Sequence, residues 1–345
     1  MQTDPLPGGG NSILLQESLS MTRSRVLSFI LAVGLLATGP MAWADKLEPL
    51  RVANQKSSLK LLLTAAGELK DVPYPIEFSE FAAAAPLGEA LNAGAVDVGY
   101  LGDAPYVFAL GSGAPLKAVS ITHFEGRYTT SILVPKDSAL QSVADLKGKR
   151  VVTNRGSIGH FLVIKALRDA GLQTSDITFV NLLPSDAQGA LQSGDADAWS
   201  TWDPYTTIAL NQGNARILRK GTDLLTNNTY LVATQQATET KRAQVEDFVV
   251  RLERAYQWAN THHDEFAAAQ AQVTRLPLAV HLASVNETRY TRAEITDAVI
   301  ADLQQTADIY LEEGVLAQPV KVAPGFDKHF NDFRAPTQTP LASAP

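Results

Sequence analysis

The sequence predicts an α/β fold made of two similar lobes, each a mostly parallel sheet flanked by helices, with a cleft between them. The first observation behind this is an internal repeat. GAVDVGYLGDAPYVFALGSG (94–113) and GDADAWSTWDPYTTIALNQG (194–213) align at an offset of 100, sharing Gly94/Gly194, Asp97/Asp197, Asp103/Asp203, Ala109/Ala209, Leu110/Leu210 and Gly113/Gly213. Upstream, RVANQKSSL (51–59) faces RVVTNRGSI (150–158), matching Arg51/Arg150, Val52/Val151 and Ser58/Ser157. The second observation is that each copy alternates short apolar runs with helical patterns, the signature of parallel β-α units. The third is a pair of apolar extended runs, TTSILVP (129–135) and TYLVAT (229–234), placed between the copies and after the second. They read as the strands that cross between lobes.

Taken in order, residues 1–44 lie outside the fold. Arg23 and Arg25 precede the apolar stretch VLSFILAVGLLA and then Ala42-Trp43-Ala44, an A-x-A cleavage pattern, so a secretory signal peptide ending at Ala44 is expected, with residues 1–20 an over-extended start. The apolar stretch is shorter than the roughly 20 residues a membrane span needs. Strands are expected at 50–54, 75–79 and 96–100 in the first copy and 149–153, 177–182 and 196–200 in the second. Helices are expected at 57–69, 85–93, 104–111, 159–171, 185–193 and 204–212. Asp103 and Asp203 stand where helix N-caps belong, with Pro105 and Pro204 in the first turn, and Gly113 and Gly213 fall just past the helix ends. Val245, Phe248, Val249, Leu252, Ala255 and Tyr256 recur on one helical face. Thr291 with Glu294 forms a capping-box pattern that opens a helix running to about Glu313. Lobe one therefore takes 45–131 and 231–330, lobe two takes 132–230, and the Pro- and Ala-rich end, 331–345, is a flexible tail.

Composition narrows the chemistry. A net charge of −7 disfavours nucleic acid and anionic membrane surfaces as partners. With no cysteine there is no disulfide framework, no thiolate metal site and no lipidated N-terminal cysteine. The six histidines show no metal-binding spacing, Gly156-Ser157-Ile158-Gly159 is not a nucleophile elbow, and no phosphate loop occurs. No catalytic residue, metal or cofactor is expected.

Ligands of open α/β sheets bind beyond the carboxyl ends of the strands. That places six loops around the cleft: NQKSS (54–58), EFAAA (80–84), LGDAP (101–105), NRGSIGH (154–160), PSD (184–186) and TWDPY (201–205). Each leads into a helix N-terminus, whose free N–H groups and dipole favour an anion. In NRGSIGH, Gly156 and Gly159 permit close backbone approach, Ser157 offers a hydroxyl, and His160 either donates from its ring or packs beneath the loop. Gln55 and Lys56 sit in the matching loop. Phe81, Tyr100, Tyr106, Trp199, Trp202 and Tyr205 crowd the same rims, Trp199 as a core residue and Trp202 with Tyr205 as an apolar wall. Arg127 and Tyr230 flank the crossovers.

With NQKSS, GDAPYVFA, GSIGHFLVIKAL and WDPY in this order, the chain resembles the nitrate/sulfonate/taurine group of periplasmic binding proteins for ABC importers, on its aliphatic-sulfonate branch, over about residues 48–325. The resemblance implies the two-lobed type II periplasmic binding protein fold, closing on a small organic anion and docking on an inner-membrane permease. A sulfonate or sulfate ester is the implied ligand, and a soluble periplasmic monomer the implied state. By position, the anion-contacting residues implied are Gln55, Lys56, Phe81, Gly102, Asp103, Ala104, Ser157, Gly159, His160, Trp202 and Asp203. Ala85 stands where the group has glycine and Tyr106 where it has a second proline, so the ligand tail is expected to meet a different wall. Two other classes fit the same scaffold: an enzyme like the pyrimidine-precursor synthases, with His160 as acid or base, and a sensory binding protein.

Overall fold

The computed structural model describes residues 47–55, 58–126 and 130–336. The expected signal peptide, Lys56, Arg127 and residues 337–345 lie outside the described residues. Two sheets carry the fold. The first holds β1 (Leu50–Gln55), β2 (Ile76–Phe81), β3 (Val98–Gly102), β4 (Leu116–Glu125), β10 (Asn228–Thr234) and β11 (Arg289–Ala293), in the order β11-β4-β10-β3-β1-β2. The second holds β5 (Thr130–Pro135), β6 (Arg150–Thr153), β7 (Thr178–Asn181), β8 (Ala198–Trp202) and β9 (Ala215–Lys220), in the order β7-β6-β8-β5-β9.

The repeat appears as topology. β1 pairs in parallel with β2 and β3, as β6 does with β7 and β8, and Val52↔Val98 corresponds to Val151↔Ala198. Each sheet then takes a strand from the other half of the sequence: β10 inserts antiparallel between β3 and β4, and β5 inserts antiparallel between β8 and β9. With β11 added antiparallel to β4, the sheets are mixed. Four of the six strands in the first sheet and four of the five in the second share one direction, as expected, while the strands returning from the opposite sheet enter without a helical crossover and run against it.

Helices fill both faces because their apolar positions recur at helical spacing. On one side of the first sheet lie α1 (Ser58–Ala65), α8 (Arg242–Ala259) and α9 (His263–Thr274), burying Leu62, Leu63, Phe248, Val249, Leu252 and Phe266. Between the sheets a continuous core runs from α2 (Ala84–Asn92) and α3 (Asp103–Gly111) to α4 (Ile158–Asp169), joining Leu87, Leu91 and Val107 to Phe161, Ile164 and Leu167. α11 (Asp297–Glu312) joins that core through Leu303 and Tyr310. The outer face of the second sheet is covered by α5 (Pro184–Ser193) and α6 (Tyr205–Asn211). Trp199 is buried there, as expected of a core residue. The short α7 (Gln235–Thr240) and α10 (Leu278–Glu287) complete the set.

Three expectations are corrected. Thr291 does not open a helix. It lies in β11 opposite His123, and α11 starts six residues later, capped by Thr296, whose hydroxyl accepts the Val299 amide at 3.3 Å. Tyr106 is not at a rim: it is buried, its ring 5.4 Å from that of Tyr230, and its hydroxyl donates to the Gly325 carbonyl. Nor does the tail start at 331, because Arg334 donates to Glu253 at 3.0 Å and Ala335 is buried.

Candidate functional site

In the first sheet, the rim begins where β1 ends. Asn54 is buried and its Oδ1 accepts the Leu59 amide at 2.9 Å, while its Nδ2 donates to Glu80 at the end of β2. A strand-end asparagine thereby caps α1 and ties two neighbouring rim loops together. Gln55 and Phe81 are register partners at this edge, both half-buried.

At the end of β3, Gly102 is the N-cap of α3, and space for a side chain is open there, the nearest atoms being those of Pro105 at 4.0 Å. Asp103 was expected to cap this helix, but its side chain makes no capping bond. Instead it is buried, and its carboxylate accepts from Tyr230 at 2.7 Å and from the Thr226 hydroxyl. Thr226 precedes β10, the strand that re-enters the first sheet, so the residue fastens the crossover rather than the helix. Burial pushes the Asp103 carboxyl up to about 6, against the two hydroxyl donors that favour its charge. Ala104 beside it is fully buried.

The loop before α4 is held by local bonds. Ser157 is the N-cap, its Oγ accepting the His160 amide at 3.1 Å. Gly156 has φ +76°, and a Cβ there would come within 3.2 Å of the Phe108 ring of α3. At Gly159, a Cβ would lie 2.8 Å from the Ser200 carbonyl, and Ser200 Oγ donates to the Gly159 carbonyl at 2.8 Å. Glycine here is required by the close approach of α4 to β8. His160 packs beneath the loop: its ring lies 4.6 Å from that of Phe179 and 5.6 Å from that of Tyr310, and Nδ1 accepts the Gly156 amide at 3.3 Å. Burial, with the Arg155 charge nearby, holds its pKa down at about 4, so the ring is neutral at pH 7.

Past β8, Trp202 is half-buried with its ring edge-on to Tyr205 at 5.9 Å. Asp203 precedes α6, and its Oδ1 accepts the Thr207 hydroxyl at 2.8 Å and the Thr207 amide at 3.1 Å. It thus serves the cap expected of it, from one residue further out. Burial pushes its carboxyl up to about 7, opposed by these two donors.

The rims of the two sheets meet. Tyr205 donates its hydroxyl to the Ala82 carbonyl at 3.1 Å, bringing the loop after Phe81 to the loop after Trp202. Phe108 of α3 lies against Gly156 before α4. At the second sheet's edge, Ser131 and its register partner Thr201, with Thr206 in the first turn of α6, carry hydroxyls that are buried and have no partner among the described residues. Sequence reasoning missed these three and Asn54. Asn54 and Thr201 had a signal, since they open the NQKSS and TWDPY loops, whereas Ser131 and Thr206 sit within strand and helix patterns that conceal them. No group of three or more metal-ligating side chains occurs among the described residues.

Comparison with known proteins fits this architecture. The NMT1/THI5-like family signature matches residues 79–266. A curated relative from Escherichia coli (strain K12), with the provisional name aliphatic sulfonates-binding protein, is 35% identical over 295 residues, covering 84% of this chain and 92% of its own length. The crystal structure of the periplasmic aliphatic sulphonate binding protein SsuA from Escherichia coli superposes with a TM-score of 0.72 at 34% identity, over 81% of this chain and 97% of that one. The alkanesulfonate-binding protein SsuA from Xanthomonas axonopodis pv. citri, bound to MOPS, gives a TM-score of 0.77 at 32% identity, over 85% of this chain and all of that one. These relatives are binding proteins, and with His160 neutral and enclosed they give the enzyme reading no support. The chain belongs to the NMT1/THI5-like family, and its relatives include proteins named for the binding of aliphatic sulfonates.

Proposed function

We propose that this protein is the periplasmic solute-binding component of an ABC importer, which holds an organic sulfur anion between its two sheets and delivers it to an inner-membrane permease. An aliphatic sulfonate is the first choice of ligand and a sulfate ester the second. Export through an N-terminal signal peptide, action as a monomer without a lipid anchor, and the division into lobes 45–131 with 231–330 and 132–230 belong to the same reading.

The observation that carries it is the meeting of the rims at Tyr205 and Ala82 beside the unpartnered hydroxyls of Ser131, Thr201 and Thr206. A sulfonate is a permanent monoanion with three acceptor oxygens, and uncharged donors can satisfy it without a full counter-charge. The N-termini of α3 and α4 add partial positive charge on the two sides. Gln55, Lys56, Phe81, Gly102, Asp103, Ala104, Ser157, Gly159, His160, Trp202 and Asp203 are proposed to form the rims, some by contact and others, such as Gly159 and His160, by shaping the loop. Nitrate, planar and without a tail, would leave the Trp202–Tyr205 wall unused.

A calorimetric screen tests this with alkanesulfonates, taurine, alkyl and aryl sulfates, nitrate and sulfate. Saturable binding of an organosulfur anion is expected, and no saturable heat with any of them would overturn the proposal. Ser157→Asp retains a capping side chain but sets a negative charge at the N-terminus of α4, so affinity should fall by roughly 100-fold. Ser138→Asp, remote from these loops, should leave it within about twofold.

A further inference from the structure

A cavity of about 360 Å³ lies beneath β11, between β4, α8 and the segment around Arg334. That volume is at the lower end of small-ligand pockets, roughly 300–1,000 Å³. Its polar lining is unbalanced in charge. Arg334 is matched by Glu253, which accepts from it at 3.0 Å. Arg292, facing Thr122 in the β11–β4 register, has no carboxylate at ion-pair distance among the described residues. Its guanidinium is held by neutral groups: the Ser120 hydroxyl at 2.6 Å, the Phe330 carbonyl at 3.2 Å and the Val119 carbonyl at 3.5 Å. Two guanidiniums therefore stand against one carboxylate.

Hydrogen bonding is unbalanced in the same place. Six buried side-chain polar atoms lack a partner among the described residues, and two of them, Arg292 Nε and Gln257 Oε1, line this one cavity. One is a donor and the other an acceptor. Leaving a charged donor buried and unmet costs stability, so such a group calls for a counterpart. Burial also brings the Arg292 pKa down to about 10, with Glu253 the opposing influence, as expected for a cation short of counter-charge. Apolar wall is supplied by Leu252 and by the rings of Tyr256 and Tyr290, stacked at 4.8 Å.

We propose that the cavity beneath β11 is a binding site for a small organic oxyanion, whose headgroup accepts from Arg292 Nε while its apolar part lies against Tyr256 and Tyr290. None of its lining residues belongs to the rim loops of the function proposed above, and the site stands or falls independently of it. Carboxylate and sulfonate headgroups share the required chemistry. Both are planar or trigonal clusters of acceptor oxygens suited to a guanidinium edge.

The test is a titration of the ¹⁵N-labelled protein with benzoate and, separately, benzenesulfonate, following the arginine Nε–H cross-peaks. Arg292→Lys identifies its own cross-peak by the loss, and through-bond assignment serves if that variant does not fold. A saturable shift of the Arg292 Nε–H signal is expected with at least one probe, at a Kd in the millimolar range or tighter. Movement with benzoate alone makes the ligand a carboxylate, and movement with benzenesulfonate alone makes it a sulfonate. The shift should persist in Ser157→Asp. No saturable movement with either probe, as for a cavity filled by water alone, would overturn the proposal. So would a shift abolished by Ser157→Asp, since the anion would then be acting from the rim loops.

Discussion

The two copies of the repeat build the same fastening and then put it to different use. In each, the arginine at the start of the central strand exchanges backbone bonds with the aspartate at the start of the third. Arg51 N donates to Asp97 Oδ2 and Arg150 N to Asp197 Oδ2, both at 2.8 Å, and the aspartate amides return to the arginine carbonyls at 2.8 and 2.9 Å. The guanidiniums close the pair, Arg51 on Asp97 at 2.6 Å and Arg150 on Asp197 at 3.4 Å. In the first copy the node is buried and gains a third member, Lys241, at 2.8 Å from Asp97. That lysine sits just before α8, the long helix that exists only beside the first sheet. The difference teaches that the repeated residues lock a β-α-β core, and that the added helices recruit one copy of the lock to dock themselves.

The largest expected effect separates these two nodes. The Asp97 side chain is 4% exposed and that of Asp197 32% exposed. Asp97→Ala strands Arg51 and Lys241 without their acceptor and should cost about 3–5 kcal/mol, as for a broken buried ion pair. Asp197→Ala, where water can replace the carboxylate, should cost roughly 1 kcal/mol. Urea denaturation of both variants measures the gap, and equal losses would mean that Lys241 adds nothing to the node. Burial opposes the charge on Asp97, but hydrogen bonds from Arg51 and Lys241 outweigh it and hold its pKa below the ordinary carboxylate value. Its contribution is therefore present above that ordinary value and is lost as pH falls through the depressed one.

This contrast also marks what the sequence could convey. Arg51, Asp97, Arg150 and Asp197 were visible as repeat matches, and so were the strands and helices around them, because hydrophobic spacing and helix punctuation are local. The role of Lys241, 144 residues from Asp97, was not. β11 was hidden for a related reason: RYTRA is short and polar, an edge strand stabilised by its pairing with β4, and Thr291 with Glu294 imitates a capping box. At the candidate site, Asp203 was legible because its partner is the nearby Thr207. Asp103 was misread because Tyr230 and Thr226, more than 120 residues on, claim its carboxylate.

Asp103 and Asp203 give the next comparison, and it is sharpened by pH. Both carboxyls have folded-state pKa values above the ordinary 3.8, at about 6 and about 7. Between the ordinary value and the raised one, the folded chain binds more protons than the unfolded chain, so stability is fully present below 3.8 and declines as pH rises through the raised value. Asp203→Asn keeps an acceptor for Thr207 and removes the titration. It should flatten the stability profile between about pH 4 and 7 by on the order of 4 kcal/mol. Asp103→Asn should flatten a narrower window, ending near pH 6, and should also loosen the crossover that Tyr230 and Thr226 secure. Thermal melts across this pH range read both, and a wild-type profile already flat would show that the two carboxyls ionise freely.

The smallest effect concerns how the rims meet. Tyr205 reaches from the second sheet's edge to the Ala82 carbonyl of the first, so removing its hydroxyl deletes a bond that exists only while the rims are together. Such a bond contributes about 0.5–1.5 kcal/mol. Tyr205→Phe should therefore shift the ligand-free protein toward separated rims and weaken ligand binding by about 2- to 12-fold, with little change in unfolding free energy, since each sheet's own core is untouched. Small-angle scattering checks the first part: the ligand-free radius of gyration should rise relative to wild type, and the two proteins should coincide once saturated. Identical curves without ligand would mean that the Tyr205 contact does not govern closure, leaving the continuous core of α2, α3 and α4 as the element that holds the sheets together.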